Sequence, residues 1–238
     1  MRIQKYISLT GYCSRRETQR LIQAERITIN GHVCDKDSVV EDGDIVLIDH
    51  KEIPIKQSMI YIAYNKSVGI ICTSNPSIEG NIFAAVPSSE RIFPVGRLDK
   101  DSQGLILLTN DGELANRISY ADYEHEKEYE VTVNQPVTDL FLQKMAEGVA
   151  ILDTITKPAI TSQVSKYVFR IILTQGLNRQ IRRMCKTLGY EVEKLERIRI
   201  MNVILGDLKA GEWRELGKTE VEELKYQMYL EAAQRTAL

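Results

Sequence analysis

What this chain lacks removes most of the common chemistries. Its 238 residues hold only four cysteines and three histidines. Cys13, Cys34, Cys72 and Cys185 stand 21, 38 and 113 residues apart, and none has His32, His50 or His125 beside it at a ligand or catalytic spacing. Zinc, haem and iron–sulfur patterns are therefore absent, and the thiols read as reduced and structural. No metal and no cofactor is signalled. No apolar run approaches the roughly 18 residues of a membrane span, and the N-terminal stretch MRIQKYISLTGYCSRRE has no signal-peptide core. A cytoplasmic protein without a membrane partner is expected. Repeats and low-complexity tracts are missing, and so is an overall charge: the net value is -2.

The near-zero average hides a strong distribution. Residues 1 to 31 carry Arg2, Lys5, Arg15, Arg16, Arg20 and Arg26 against Glu17 and Glu25, whereas six acids and only Lys36 occupy 32 to 50. Between 170 and 200, Arg170, Arg179, Arg182, Arg183, Lys186, Lys194, Arg197 and Arg199 face Glu191, Glu193 and Glu196. Two basic clusters on a weakly acidic chain suggest a polyanion held at two places. The length suits two unequal domains, and 43% hydrophobic residues suffice for real cores.

The first cluster sits in a recognisable frame. Ile3, Tyr6 and Ile7 form a helical stripe stopped at Gly11, and Ser14 with Glu17 reads as a capping box opening a second helix around Leu21 and Ile22. Arg15, Arg16 and Arg20 lie near that helix start, where the helix dipole itself favours phosphate. Ile27–Ile29, Asn30-Gly31 and Val33 spell a tight hairpin, followed by a turn at Glu41–Asp44 and a strand at Ile45–Ile48. Across residues 1 to 50 this order, with RIQKYIS, SRRE, INGH and GD, resembles the S4 RNA-binding domain. The resemblance makes Arg2, Lys5, Arg15, Arg16 and Arg20 RNA-binding candidates. It departs at Glu25-Arg26, where the S4 pattern more often has glycine, which puts the strength of its grip on RNA in question.

Residues 51 to 58 read as a linker, and a second domain is expected over 59 to 238. Strand signals dominate it, at 60–64, 68–73, 105–109, 129–133, 160–164, 167–174, 192–200 and 203–205; helices are expected at 112–119, 138–147, 178–188 and 219–234. Strands joined by short turns with single helices between them imply an α+β fold, its mixed, mainly antiparallel sheet flanked by helices.

Chemistry concentrates in Gly96–Gly112, GRLDKDSQGLILLTNDG. Leu105–Leu108 is a core strand that anchors a polar loop holding Arg97, Asp99, Lys100, Asp101 and Ser102, the usual construction of a site. A solvated loop with internal salt bridges is the plain alternative. Asp101 and Asp111 read as turn and cap residues. In the helix expected at 178–188, Ile181, Met184, Cys185 and Leu188 make an apolar stripe backed by Arg179, Arg182, Arg183 and Lys186. At about 100° per residue, Arg182 lies on the inward flank, whereas Arg179 and Arg183 point outward. A solvated amphipathic helix explains the same stripe.

Taken together, GRLDKDSQGLILLTNDG, HEKEYEVTV and QGLNRQIRRMCKTLGYEVEKLERIRIMNV resemble the pseudouridine synthases of the RsuA, RluB, RluE and RluF group, from about Met59 to Trp213. An S4 domain in front is that group's usual layout, and HEKEY with KLERIRIMNV looks most like its large-subunit ribosomal RNA branch. The resemblance implies conversion of a uridine in 23S ribosomal RNA to pseudouridine, with no cofactor and by a monomer. It implies Asp99 as the catalytic carboxylate, Tyr129 as the residue stacking on uracil, and Arg182 paired with Asp99. The base must leave its stack to meet one carboxylate, and Arg97 is a candidate to brace the gap. Arg179, Arg183 and Lys186 remain for phosphates. A non-catalytic S4-type RNA-binding or ribosome-assembly protein is the alternative. A double-displacement glycosidase would want a second carboxylate near Asp99.

Overall fold

The computed structural model describes the backbone of residues 1–53, 58–73, 78–88, 90–120 and 124–236, with side chains up to Met228. Two compact units are present: Met1–Ile60 with Ser88–Ile92 and Asn110–Gly112, and Tyr61–Pro87 with Phe93–Thr109 and Glu113–Leu238.

The first unit opens with helices Ile3–Leu9 and Arg15–Gln23. Ser14 caps the second by accepting from the Glu17 backbone N–H, as the capping signature requires; Glu17 then pairs with Arg20 at 3.0 Å. Strands Ile27–Ile29, His32–Val33, Val46–Ile48 and Lys51–Glu52 form an antiparallel sheet. Its hairpin turns on Asn30 and Gly31, both at positive φ as a type I′ turn needs. Ile3, Ile7, Leu21, Ile22, Ile27, Val46 and Ile48 build the core. Glu25 sits at φ 55°, the left-handed region that favours glycine. The departure from the S4 pattern at Glu25 is thus a non-glycine residue in a glycine conformation, held by its N–H donating to the Ile22 carbonyl at 2.9 Å. Lys51–Glu52, read as linker from sequence, instead pairs with Leu47–Ile48; 54–57 lies outside the described residues.

The second unit is built, among the described residues, on a nine-stranded sheet, with Ala150–Ile151 and Thr154–Ile155 pairing separately. From one edge its order is Ile160–Ser165, Val168–Leu173, Lys127–Val133, Val192–Ile200, Gln103–Thr109, Tyr61–Lys66 and Trp213–Glu215, with Val203–Ile204 and Phe93–Val95 as side branches. Every pairing is antiparallel except Val192–Ile200 against Gln103–Thr109, so the sheet is mixed and mainly antiparallel. Two cores flank that parallel seam. On one side Phe141 and Met145 of helix Asp139–Glu147 and Ile181, Met184 and Cys185 of helix Gln180–Thr187 pack on Val131, Phe169 and Ile171. On the other, Leu114, Ala115 and Ile118 of helix Gly112–Ser119 and Leu224 and Met228 of helix Lys218–Thr236 pack on Ala63, Leu105 and Leu107. Burial pushes the Cys185 thiol up to about 12, which makes it an inert core residue.

The strand expected at 68–73 does not form. Gly69, at φ +94°, turns the chain so that its N–H donates to the Lys100 carbonyl at 2.7 Å, and only Ile71 makes a single bridge, to Asn81. Residues 74–77 lie outside the described residues.

Candidate active site

The polar loop ahead of Gln103–Thr109 is pinned from several sides. The Leu98 N–H donates to Cys72 Sγ at 3.4 Å, and the Ser102 N–H donates to the Asp99 carbonyl at 3.1 Å. The Lys100 carbonyl takes the Gly69 N–H, and the Asp101 carbonyl accepts from Arg182 Nη2 at 2.8 Å. Arg179 grips the Asp101 carboxylate with two parallel bonds of 2.8 and 2.7 Å. Such a fork is strong and directional. The Asp99 carboxylate itself, about one-third exposed, accepts no hydrogen bond from the described residues; its nearest cation is Arg179 Nη1 at 3.9 Å. The backbone around Asp99 is fixed while its oxygens are left free for a ligand.

Asp99 lines a cavity of about 400 Å³ together with Arg97, Ser102, Tyr129, Asn178, Arg179 and Arg197. The cavity lies over the seam between the two cores and within the roughly 300–1,000 Å³ of small-ligand pockets. Arg97 is exposed at the wall, and Tyr129 stands half-buried on Lys127–Val133.

Two sequence expectations change. Arg182 does turn inward, but it does not come within 4.0 Å of Asp99. It is spent on two backbone carbonyls, Asp101 at 2.8 Å and Val192 at 3.1 Å, with the Asp101 carboxylate at 3.4 Å. Arg179, expected outward on the helix, is not in the helix at all. It is the N-cap of Gln180–Thr187, at φ 51° and ψ 37°, and that left-handed turn swings it onto the loop and into the cavity wall. Asp101 is accordingly more than a turn residue: it holds both arginines. Arg183 and Lys186 are exposed, Arg183 bonding the Asn178 carbonyl at 3.0 Å. The local charge excess is also smaller than the count suggests, because Arg170 pairs with Glu130, and Arg199 with Glu126 and Glu128, acids that lie outside the counted stretch. Sequence reading missed Arg197, which lines the cavity, and Lys66, which lies in the same cross-strand row beyond Gly104. Both are buried cations in strands, Arg197 where alternation from Leu195 calls for an apolar side chain.

Splitting the arginine roles gives a first prediction. Arg182→Ala removes two bonds, to a half-buried strand carbonyl and a loop carbonyl, and should cost about 1–3 kcal/mol of stability as well as activity. Arg179→Ala, which gives up a solvent-exposed pair with Asp101, should lower the unfolding temperature clearly less than Arg182→Ala while lowering activity; equal thermal losses in the two variants would contradict the division. A second concerns pH. The Arg179 guanidinium holds the Asp101 carboxyl below its ordinary range. A depressed carboxylate stabilises the fold fully above the ordinary value, about 3.9, and the contribution fades as pH falls through the folded one. The stability gap between wild type and Asp101→Asn should therefore persist at neutral pH and close below about pH 4; a gap that stays constant to about pH 2.5 in thermal unfolding would sink it.

With this loop, seam and cavity in place, comparison with known proteins defines the class: the chain belongs to the RNA pseudouridylate synthase family, whose sequence model matches residues 60–187, and an S4 domain matches residues 1–46. It is an RNA pseudouridine synthase. Among its relatives, an Escherichia coli protein, dual-specificity RNA pseudouridine synthase RluF, is 50% identical over 226 residues, covering 94% of this chain and 78% of that protein. The ribosomal large subunit pseudouridine synthase B of Bacillus subtilis is 32% identical over 235 residues, covering 94% and 95%. A crystal structure of pseudouridylate synthase superimposes with TM-score 0.70 at 28% identity, covering 94% of this chain and 99% of that one. Among the described residues no helix is long and apolar enough to cross a membrane.

Proposed function

We propose that this enzyme isomerises a specific uridine of 23S ribosomal RNA, with Asp99 acting on the ribose of a nucleotide turned out of its stack into the cavity. The observation that carries this reading is the Asp99 carboxylate: held in place through its backbone, unencumbered by hydrogen bonds, and sharing one cavity with Tyr129 and Arg97. The reaction breaks the bond from N1 to C1′, turns the uracil, joins C5 to C1′, releases the C5 hydrogen as a proton and takes up one proton from solvent at N1, so that substrate and product are isomers. Redox change and energy input are both unnecessary. Asp99 works at C1′ as nucleophile or on the sugar as base. Tyr129 offers its ring to the uracil, Arg97 fills the vacated stack, and the paired Arg179 and Arg182 hold the loop at working geometry. Ribosomal RNA is favoured because a relative 32% identical to this chain, from Bacillus subtilis, is named a ribosomal large subunit pseudouridine synthase.

The test is release of tritium from C5-labelled uridine in ribosomal RNA by the purified chain, with pseudouridines mapped in cells with and without the gene. Release together with one site lost on deletion is expected. No release from any uridine-containing RNA would favour a non-catalytic RNA-binding protein instead.

Binding should depend on the N-terminal helices. Arg2, Lys5, Arg15 and Arg16 are exposed and form no salt bridge among the described residues, while the apolar side of their helices packs inward. If they meet phosphates, Arg15→Ala with Arg16→Ala should reduce the slope of log affinity against log salt by about 0.7–0.9 for each phosphate that is no longer neutralised. Chemistry at saturating RNA should continue. An unchanged slope would remove these residues from the RNA interface.

A further inference from the structure

One row of the sheet runs beneath the cavity and holds a residue that the reaction as described does not use. Tyr129, Arg197, Gly104 and Lys66 are successive cross-strand partners on four neighbouring strands. Directly paired residues present their side chains on one face, so Arg197 stands beside Tyr129, and both line the cavity with Asp99. Arg197 is 2% exposed. Among the described residues its side chain makes a single hydrogen bond, from Nε to the Leu105 carbonyl at 2.6 Å, which fixes the plane of the guanidinium. Nη2 has no partner among the described residues, and no carboxylate there lies within 4.0 Å of the group.

A buried guanidinium cannot shed its proton, and leaving its donors unmade is costly. No ion pair relieves it among the described residues. Lys66, fully buried and bonded to the Ser67 and Ile70 carbonyls at 3.0 and 2.9 Å, is a second cation; burial pushes its ammonium down against the smaller upward pull of Cys72, Asp101 and Asp99, and Arg197 adds to the downward push. A partly satisfied buried cation facing a cavity is a site prepared for an acceptor that arrives with the ligand. The acceptor's nature follows from the neighbours. Exposed Arg97 and Arg179 are the groups a hydrated phosphate would meet, whereas Arg197 lies deep, next to an aromatic ring suited to a flat heterocycle.

On the reading that the Asp99 cavity receives uridine, we propose that Arg197 donates to a carbonyl oxygen of the turned-out uracil and takes up the negative charge that reaches that oxygen during the reaction. When the bond from N1 to C1′ breaks, its electron pair stays on the uracil and spreads from N1 onto O2 and O4. No proton leaves the arginine. The same pair of electrons is used again as C5 bonds to C1′; the C5 proton then leaves to solvent and N1 takes one up, so the charge at the carbonyl is transient, and a fixed cation beside it favours the intermediate over the bound substrate.

The experiment replaces the target uridine by 2-thiouridine or 4-thiouridine, since sulfur is a poor acceptor, and measures single-turnover tritium release and RNA affinity. In wild type, sulfur at one of the two positions should slow release by about 10- to 100-fold, the value of a bond to a charged donor. Arg197→Met should be about 10²-fold slower on uridine, bind RNA within about threefold of wild type, and show no further sulfur penalty at that position. Arg197→Lys, which keeps a charge, should recover part of the rate. A merely structural arginine would not be sensitive to which atom stands on the uracil. Indifference of wild type to sulfur at both positions overturns the proposal without any variant, as does an undiminished sulfur penalty in Arg197→Met. Either result, obtained with an active wild type and a dead Asp99→Asn, leaves the role of Asp99 intact; an active Asp99→Asn would remove that role instead.

Discussion

Replacing Asp99 by Asn should abolish tritium release, by roughly three or more orders of magnitude, while RNA affinity stays close to wild type. The geometry makes this substitution unusually clean. The loop is held through Leu98, Lys100, Asp101 and Ser102, and none of those bonds uses the Asp99 carboxylate. The one bond Asp99 makes within the loop is through its backbone carbonyl, and Asn keeps it. Asn is the same size, so the cavity stays unfilled and unstrained; what goes is the charge and the ability to attack or take up a proton. RNA carries dense negative charge, so neutralising one carboxylate at the cavity wall should, if anything, tighten binding slightly. Asp101→Asn is the informative contrast: it loosens the clamp on Arg179 and should lower the rate without eliminating it. Activity retained in Asp99→Asn, measured as initial release rate at saturating RNA, would dismiss the catalytic assignment. Loss of both binding and release would mean that the carboxylate is structural.

How much of this is readable in the chain varies with the physics of each element. The hairpin at Asn30-Gly31, the cap at Ser14 and the helix at Gly112–Ser119 follow from local backbone preferences, and they form where expected. The cavity's Asp99 and Tyr129 are legible through motif resemblance rather than from periodicity. Arg179 escapes because a helical wheel extends 100° per residue through a position that lies outside the helix; the left-handed N-cap breaks the count. The one warning in the chain is Gly176 and Asn178 just upstream, turn formers at the start of an expected helix. Val68–Thr73 misleads in the opposite way, since β-branched residues flank Gly69 and the glycine wins. Arg197 leaves a trace in the alternation of Val192–Ile200, in which Leu195 and Arg197 share the buried side. Its neighbour across the seam, and with it the role proposed above, depends on a parallel pairing between segments 93 residues apart, Gln103 with Glu196. No local pattern encodes that.

The parallel seam is also where a single methyl group should do most damage. Gly104 sits at φ +104°, and a Cβ placed there would lie 2.3 Å from the Arg197 carbonyl oxygen and 2.6 Å from its nitrogen. Both clashing atoms are backbone in a central strand, so no side-chain rotation relieves them. Gly104→Ala should combine overpacking with backbone strain, each about 1–3 kcal/mol, and lower the unfolding temperature by roughly 5–15 °C in a chain of this size. Activity should fall further than stability accounts for. Relief of the clash can come only by widening the seam, which moves Arg197 on one strand and the start of Gln103–Thr109, and with it the Asp99 loop, on the other. Gly217→Ala, at a position where an added Cβ meets nothing within 4 Å, provides the reference and should unfold within a degree or two of wild type. If Gly104→Ala unfolds with the reference and keeps its rate at temperatures where it is folded, the close approach of the two strands is not what holds the site in register.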